Sequence, residues 1–201
     1  MFVIRRPSAA RIERVLAREN QGLSYPCPGM TASAQTPLGY PRNHHVTPLG
    51  HGEETFLRAV AAVRSWAMYD LPWTYLHPAR PPIVTGTTFA TIVSHLGFWS
   101  VNPCRIVYVD EVDTPELRTF AFAIGTLPMH SETGEERFSL HWDRATDVVR
   151  FEILAYARAW HWMARLSGPF VGILQRRFGR GALAAVRARV DGQARRAEAT
   201  H

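Results

Sequence analysis

The sequence predicts an α+β domain in which a curved antiparallel β-sheet wraps around a long C-terminal helix, and three observations carry that expectation. The hydrophobic period is helical over residues 52–69 and changes to two from Trp73 onward. Three successive segments then alternate cleanly: Phe120, Phe122 and Ile124; Phe138, Leu140 and Trp142; Val149, Phe151, Ile153 and Ala155. Each set lies on one side of its strand, and the short connections between them imply an antiparallel meander with one buried face. After Pro169 the helical period returns, placing Phe170, Leu174, Phe178, Ala182 and Ala185 on one stripe with Arg176, Arg180 and Arg187 opposite. That stripe is the surface available to cover the sheet.

The elements follow in order. Ser8 is placed to cap a short helix carrying Ile12, Val15 and Leu16, which ends near Gly22. Prolines 26, 28, 37, 41 and 48 make the next stretch a long irregular connection, with room for a short strand around Asn43 to Thr47. Gly52 to Tyr69 reads as an amphipathic helix burying Phe56, Val60, Val63 and Ala67, with Glu53 and Glu54 complementing the dipole at its start. Candidate strands are Trp73 to His77, Thr87 to Ser94, Arg105 to Val109, Thr119 to Gly125, Arg137 to Trp142 and Val148 to Tyr156. Ser167 and Pro169 open the closing helix, which runs to about Val190. The expected organisation is a single domain over 1–201, with an N-terminal helix in 1–22, the sheet-and-helix body in 25–190 and a frayed tail in 192–201.

Composition narrows the function. At 201 residues the chain can bury a sizeable core without metal or disulfide, and its two cysteines, Cys27 and Cys104, fit a reducing compartment. The apolar run from Met1 to Ile4 is too short for a signal peptide or anchor, and no stretch reaches membrane-span length, so a cytoplasmic protein is expected. All 23 basic residues are arginine. The absence of lysine excludes Schiff-base chemistry on a lysine and a Walker-type phosphate loop. The net charge of +6 is dispersed, and no nucleic-acid-binding motif accompanies it, so no nucleic-acid partner is expected. His44, His45, His51 and Glu53 match no zinc spacing, neither cysteine sits in an activating motif, and no cofactor is expected.

One family resemblance is specific. The segments Gly125 to His130 (GTLPMH) and Gly134 to Phe138 (GEERF), with Leu96 to Arg105, Leu49 to Glu53 and Gln175 to Phe178, resemble uncharacterised protein family 0548 of bacteria and plants. The chain departs from that pattern at Tyr156 to Ala159, where a Ser-Arg-Pro-like segment would stand. The family has no assigned reaction. Its element order is similar to the helix-grip group of START and Bet v 1-like proteins, which implies an apolar cavity between sheet and helix.

Strand parity makes the sharpest suggestion about a site. Glu136 shares its side with Phe138, Leu140 and Trp142, so its carboxyl enters the apolar face and needs a partner or a raised pKa. Arg105 is the expected partner, with Tyr108 facing the other way. His130, Ser131 and Glu132 are expected in a ten-residue loop from Gly125 to Gly134, which also holds Thr126, where rigid strands could present them at a pocket mouth. Ligand-binding candidates are thus Glu136, Arg105, His130, Tyr108 and Thr126. The bland alternatives are a structural ion pair at Glu136, a one-residue bulge near Gly134 that turns Glu136 to water, and a solvated loop histidine. Three functions remain open: a binder of a hydrophobic or amphipathic small molecule, an enzyme doing acid–base chemistry of cyclase or hydrolase type in the same pocket, and an interaction protein using the arginine-rich helix face. Oligomeric state is not legible.

Overall fold

The structure, a computed structural model, describes residues 1–19, 22–33, 37–95, 97–159 and 169–198. Its elements are β1 (Phe2–Val3), α1 (Ala9–Leu16), β2 (Arg42–His51), α2 (Gly52–Arg64), a 3₁₀ turn (Ala67–Tyr69), β3 (Thr74–His77), β4 (Thr88–His95), β5 (Phe98–Asp113), β6 (Leu117–Thr126), β7 (Glu132–Asp143), β8 (Val148–Ala159) and α3 (Pro169–Glu198). The strands form one antiparallel sheet in the order β2-β8-β7-β6-β5-β4-β3, with β1 added beside β5. This is the helix-grip arrangement: α2 and α3 cover the concave face.

The concave core is built by the alternation read in the sequence. Phe120 and Phe122 of β6, Phe138 and Leu140 of β7, and Phe151 and Ile153 of β8 are buried together against Phe56 and Val63 of α2 and Ala182, Val186 and Val190 of α3. Along α3 the buried line passes through Phe178, Ala182, Val186 and Val190 rather than through Ala185, while Arg176, Arg180 and Arg187 are exposed as expected. The helix continues through Gly192 to Glu198, beyond the expected end near Val190. Ser167, Trp160, Trp162 and the Phe170 side chain lie outside the described part. Close approach of α3 to β2 depends on Gly179, where a Cβ would collide with the His45 ring.

The helix expected over 52–69 stops at Arg64 because Trp66 takes a left-handed backbone conformation, φ 63°. That turn drives the indole into the core, where its Nε1–H donates to the Pro81 carbonyl at 2.8 Å and its ring packs against Phe89 and Phe122. Burial of a Trp with its polar atom satisfied outweighs the local backbone cost.

The convex face is covered as well. Ile12 and Val15 of α1 pack on Ala90, Ile92 and Val101, and Tyr25, Met30 and Tyr40 of the proline-rich connection pack on Leu154 and Tyr156. Among the described residues no helix is long and apolar enough to cross a membrane.

Candidate functional site

Strand β7 carries two faces of opposite character. Residues 133, 135, 137 and 139 point to the convex side; Glu132, Gly134, Glu136, Phe138 and Leu140 point to the concave side, as the pairings Glu136 with Ile124 and Ala155, and Phe138 with Phe122 and Ile153, require. Moving back along the concave side, the surroundings change from hydrocarbon to polar. Leu140 lies among the α2 contacts, Phe138 stacks on Phe122 and meets the Tyr69 ring, and Tyr69 in turn packs on Phe178 of α3. Beyond Phe138 come Glu136 and Glu132.

Glu132 accepts one hydrogen bond from the Gln175 amide of α3 at 3.0 Å. Glu136 has no hydrogen-bond partner among the described residues. Both side chains are half-buried on the concave face, keeping some contact with open space while protein surrounds them closely. Burial, joined by repulsion from Glu132, raises the Glu136 carboxyl to about 8, and burial raises Glu132 to about 7 against the Gln175 hydrogen bond. The Cys104 thiol and Tyr69 hydroxyl are pushed up by burial and, after it, by Glu136. Glu136 therefore faces acids and neutral groups from the 3₁₀ turn, β5 and β7.

Small residues flank the two carboxyls. On β8, Ala155, Ala157 and Ala159 stand beside Glu136, Gly134 and Glu132, and Ala157 and Ala159 are only partly buried. Gly134 sits between the two glutamates at φ 147°, and a Cβ there would run into the Tyr156 carbonyl. Polar side chains continue the same face: Asn102 of β5 donates to Ser100 Oγ at 2.9 Å and accepts from Ser131 Oγ at 2.9 Å, and His95 meets Ser100 at 2.8 Å. Toward the other end the concave face is occupied by the buried aromatic cluster of Trp66, Phe89, Phe122 and Phe138.

Of the candidates read from sequence, Glu136 lies on the apolar face as its parity requires. Its expected pairing with Arg105 does not form. Arg105 is opposite Gly125, which is opposite Glu135, so the guanidinium is on the convex side, where Nε donates to Thr88 Oγ1 at 3.2 Å and Nη2 to the Glu19 carbonyl at 3.2 Å. The physical reason is parity itself: Ile106, not Arg105, shares the Glu136 face. Tyr108 is also convex, its hydroxyl 2.9 Å from Thr31 Oγ1. Thr126 is occupied with local structure, bonding the Gly134 backbone and Ser24 Oγ at 2.6 Å.

His130 sits in a shorter turn than expected, because β7 begins at Glu132 rather than Arg137. Its Nδ1 accepts the Glu132 N–H at 2.9 Å, and burial lowers its pKa to about 3, so the ring is neutral. Glu132, expected in the loop beside His130, instead opens β7, and extending the parity of Glu136 back by four residues puts it on the concave face; Gln175 was missed. Glu135 was missed too. It is buried on the convex side, accepting from Tyr25 Oη at 2.6 Å, Gly29 N at 2.8 Å, Thr31 N at 2.9 Å and Thr31 Oγ1 at 2.5 Å, and it tethers the proline-rich connection to the sheet. Among the described residues no group of three or more His, Cys, Asp or Glu side chains is arranged to hold a metal ion.

Comparison with known proteins bears on family and fold. Residues 24–185 match a family model described as a domain of unknown function (DUF1990). A UPF0548 protein of Deinococcus radiodurans is 34% identical over 190 residues, covering 88% of this chain and 92% of that protein. An Arabidopsis thaliana UPF0548 protein is 31% identical over 150 residues, covering 74% of this chain and 72% of that protein. A third, from Dictyostelium discoideum, is 34% identical over 137 residues, 65% of this chain; the match spans 63% of that protein's length. Among solved structures, TTHA0849 from Thermus thermophilus superposes with a TM-score of 0.50 at 10% identity, covering 76% of this chain and 99% of that one. The crystal structure of Ara h 8.0201 aligns more loosely, with a TM-score of 0.45 at 12% identity over 77% of this chain and 99% of that one.

Proposed function

This chain belongs to the UPF0548 family, and from that premise we propose that it binds a hydrophobic or amphipathic small molecule in the recess between the sheet and α3, with the Glu132–Glu136 end receiving the ligand's polar group. The observation that carries the reading is the Glu136 carboxyl, which is raised to about 8 by burial and has no hydrogen-bond partner among the described residues. A buried polar group without a partner costs free energy, and a bound molecule that supplies the partner recovers it. On β8 only the small side chains of Ala155, Ala157 and Ala159 stand beside this end of β7, and the half-buried Phe178, packed on Tyr69, offers apolar surface.

Titration with the neutral dye Nile red, followed by fluorescence and by amide chemical shifts, tests this. Saturable one-to-one binding is expected, with shifts concentrated at residues 132–138, 155–159 and 172–178. Absence of saturable binding, or shifts confined to the convex side around Tyr25 and Glu135, refutes it.

A second reading has one observation in its favour: two carboxyls titrating near neutrality suit acid–base chemistry on a bound substrate. It uses the same recess, and so it also falls if the recess does not bind.

A further inference from the structure

Resting on the reading of the recess as a binding site, we propose that its occupant is an organic amine, bound as the ammonium, with Glu136 and Glu132 as counter-ions and the ligand's hydrocarbon toward Phe178.

The groups that meet there set the charge a ligand must bring. Strand β7 contributes Glu132 and Glu136, the 3₁₀ turn Tyr69, β5 Cys104, and α3 the neutral amide of Gln175. Every titratable member of this set is an acid. The chain as a whole carries +6 and holds 23 arginines, yet among the described residues none is placed against these carboxyls. Arg105 bonds on the convex side, Arg137 reaches Glu152 and the Thr31 carbonyl there, and Arg176, Arg177 and Arg180 of α3 are exposed. A buried carboxylate is ordinarily matched by a cation or by several N–H donors. Glu135, one residue away on the opposite face, has four donors; Glu136 has none among the described residues.

An ammonium answers this arrangement better than other head groups. It supplies three donors and a positive charge, enough to bridge two carboxylates on one strand face. A hydroxyl could be served by the protonated acids but would gain nothing from their ionisation, and an anionic head group would be repelled once either acid ionised. Burial keeps Glu136 largely protonated and Glu132 about half protonated at neutrality in the empty site, so an ammonium entering it displaces a proton, and its binding strengthens as pH rises from 6 to 8. Tyr69 and Cys104, pushed higher still, and His130, held neutral, do not titrate in that interval.

Isothermal titration calorimetry with 2-phenylethylamine, 2-phenylethanol and 3-phenylpropanoate, at pH 6 and pH 8 in two buffers of different ionisation enthalpy, tests the assignment. At pH 8 the amine is expected to bind about tenfold or more tighter than the alcohol, with the carboxylate weakest, and to release a proton on binding. Glu136→Gln is expected to weaken the amine about tenfold and leave the alcohol unchanged, with circular dichroism verifying the fold. If the alcohol or carboxylate binds as well as the amine, or if Glu136→Gln leaves amine affinity intact, the amine assignment is overturned while the recess remains a binding site. If none of the three binds, both are overturned.

Discussion

Replacing Glu136 with Gln is expected to change how stability depends on pH, and the direction follows from the burial of the carboxyl. In the folded chain the acid keeps its proton to about pH 8, whereas in the unfolded chain it loses it around 4.5. Between those values folding takes up a proton, so stability declines as pH rises. The contribution of the protonated acid is fully present below about pH 4.5 and is lost progressively until the folded-state pKa is passed. The interval from 4.5 to about 8 sets a ceiling of about 5 kcal/mol. Contact with open space screens the charge, and coupling to Glu132 divides the effect, so about 2 kcal/mol of additional decline between pH 5 and pH 8 is the working figure. Gln cannot ionise and removes this decline. Urea denaturation followed by tryptophan fluorescence at pH 5, 6, 7 and 8 reads it directly, the variant gaining on the wild type by about 2 kcal/mol across the series. Arg105→Met is the control: its guanidinium is on the other face, so the pH profile keeps its wild-type shape even if overall stability falls. Parallel profiles for wild type and Glu136→Gln, or a profile flattened by Arg105→Met, would refute the reasoning.

Glu135→Ala removes the acceptor of four hydrogen bonds and strands buried donors at Tyr25, Gly29 and Thr31, so a loss of about 3–5 kcal/mol is expected in urea denaturation. Limited proteolysis should then cut first within residues 22–33, and unchanged resistance there would show that something else holds the segment. Gly179→Ala gains about 1 kcal/mol of helix propensity but forces a Cβ into the His45 ring, for a net loss of about 1–2 kcal/mol in thermal unfolding. Adding His45→Ala should recover most of that loss, and simple additivity of the two substitutions would exclude the contact as the cause.

Much of the concave half of the molecule was legible because period-2 alternation reports which residues share a face, and that is a local property of the chain. The same alternation correctly placed Glu136. It failed at Arg105 because the partner was chosen by strand membership instead of by parity: Ile106 occupies the side that Arg105 was assigned. The extent of β5 escaped because Asn102-Pro103 reads as a breaker, yet Pro103 lies within the strand, paired with Ala90, and its carbonyl accepts the Leu127 N–H at 3.1 Å. The early start of β7 escaped for a similar reason, since Gly134 looked like the end of a loop but is a strand residue at an unusual φ. Shortening that loop is what brings Glu132 onto the concave face. The cover on the convex face rests on contacts more than a hundred residues apart, such as Tyr25 with Glu135, and no local pattern announces them.

Glu135 and Glu136 are adjacent in the chain, both on β7, and differ only in which side of the sheet they enter. On the convex side the chain supplies two backbone N–H groups, a phenol and a hydroxyl to one carboxyl, which is how a protein stabilises a buried acid that belongs to its architecture. On the concave side it supplies Glu136 with no donor among the described residues, a second acid four residues away and a floor of alanines. A leucine at that position would pack against Ile124 and Ala155 at no electrostatic cost, so packing does not account for the carboxyl. An acid raised to about 8 by burial, with no hydrogen-bond partner among the described residues, has the character of a group whose partner arrives from outside. The positive charge missing among the described residues around it then describes that partner: apolar enough to lie against Phe178, and positive at one end.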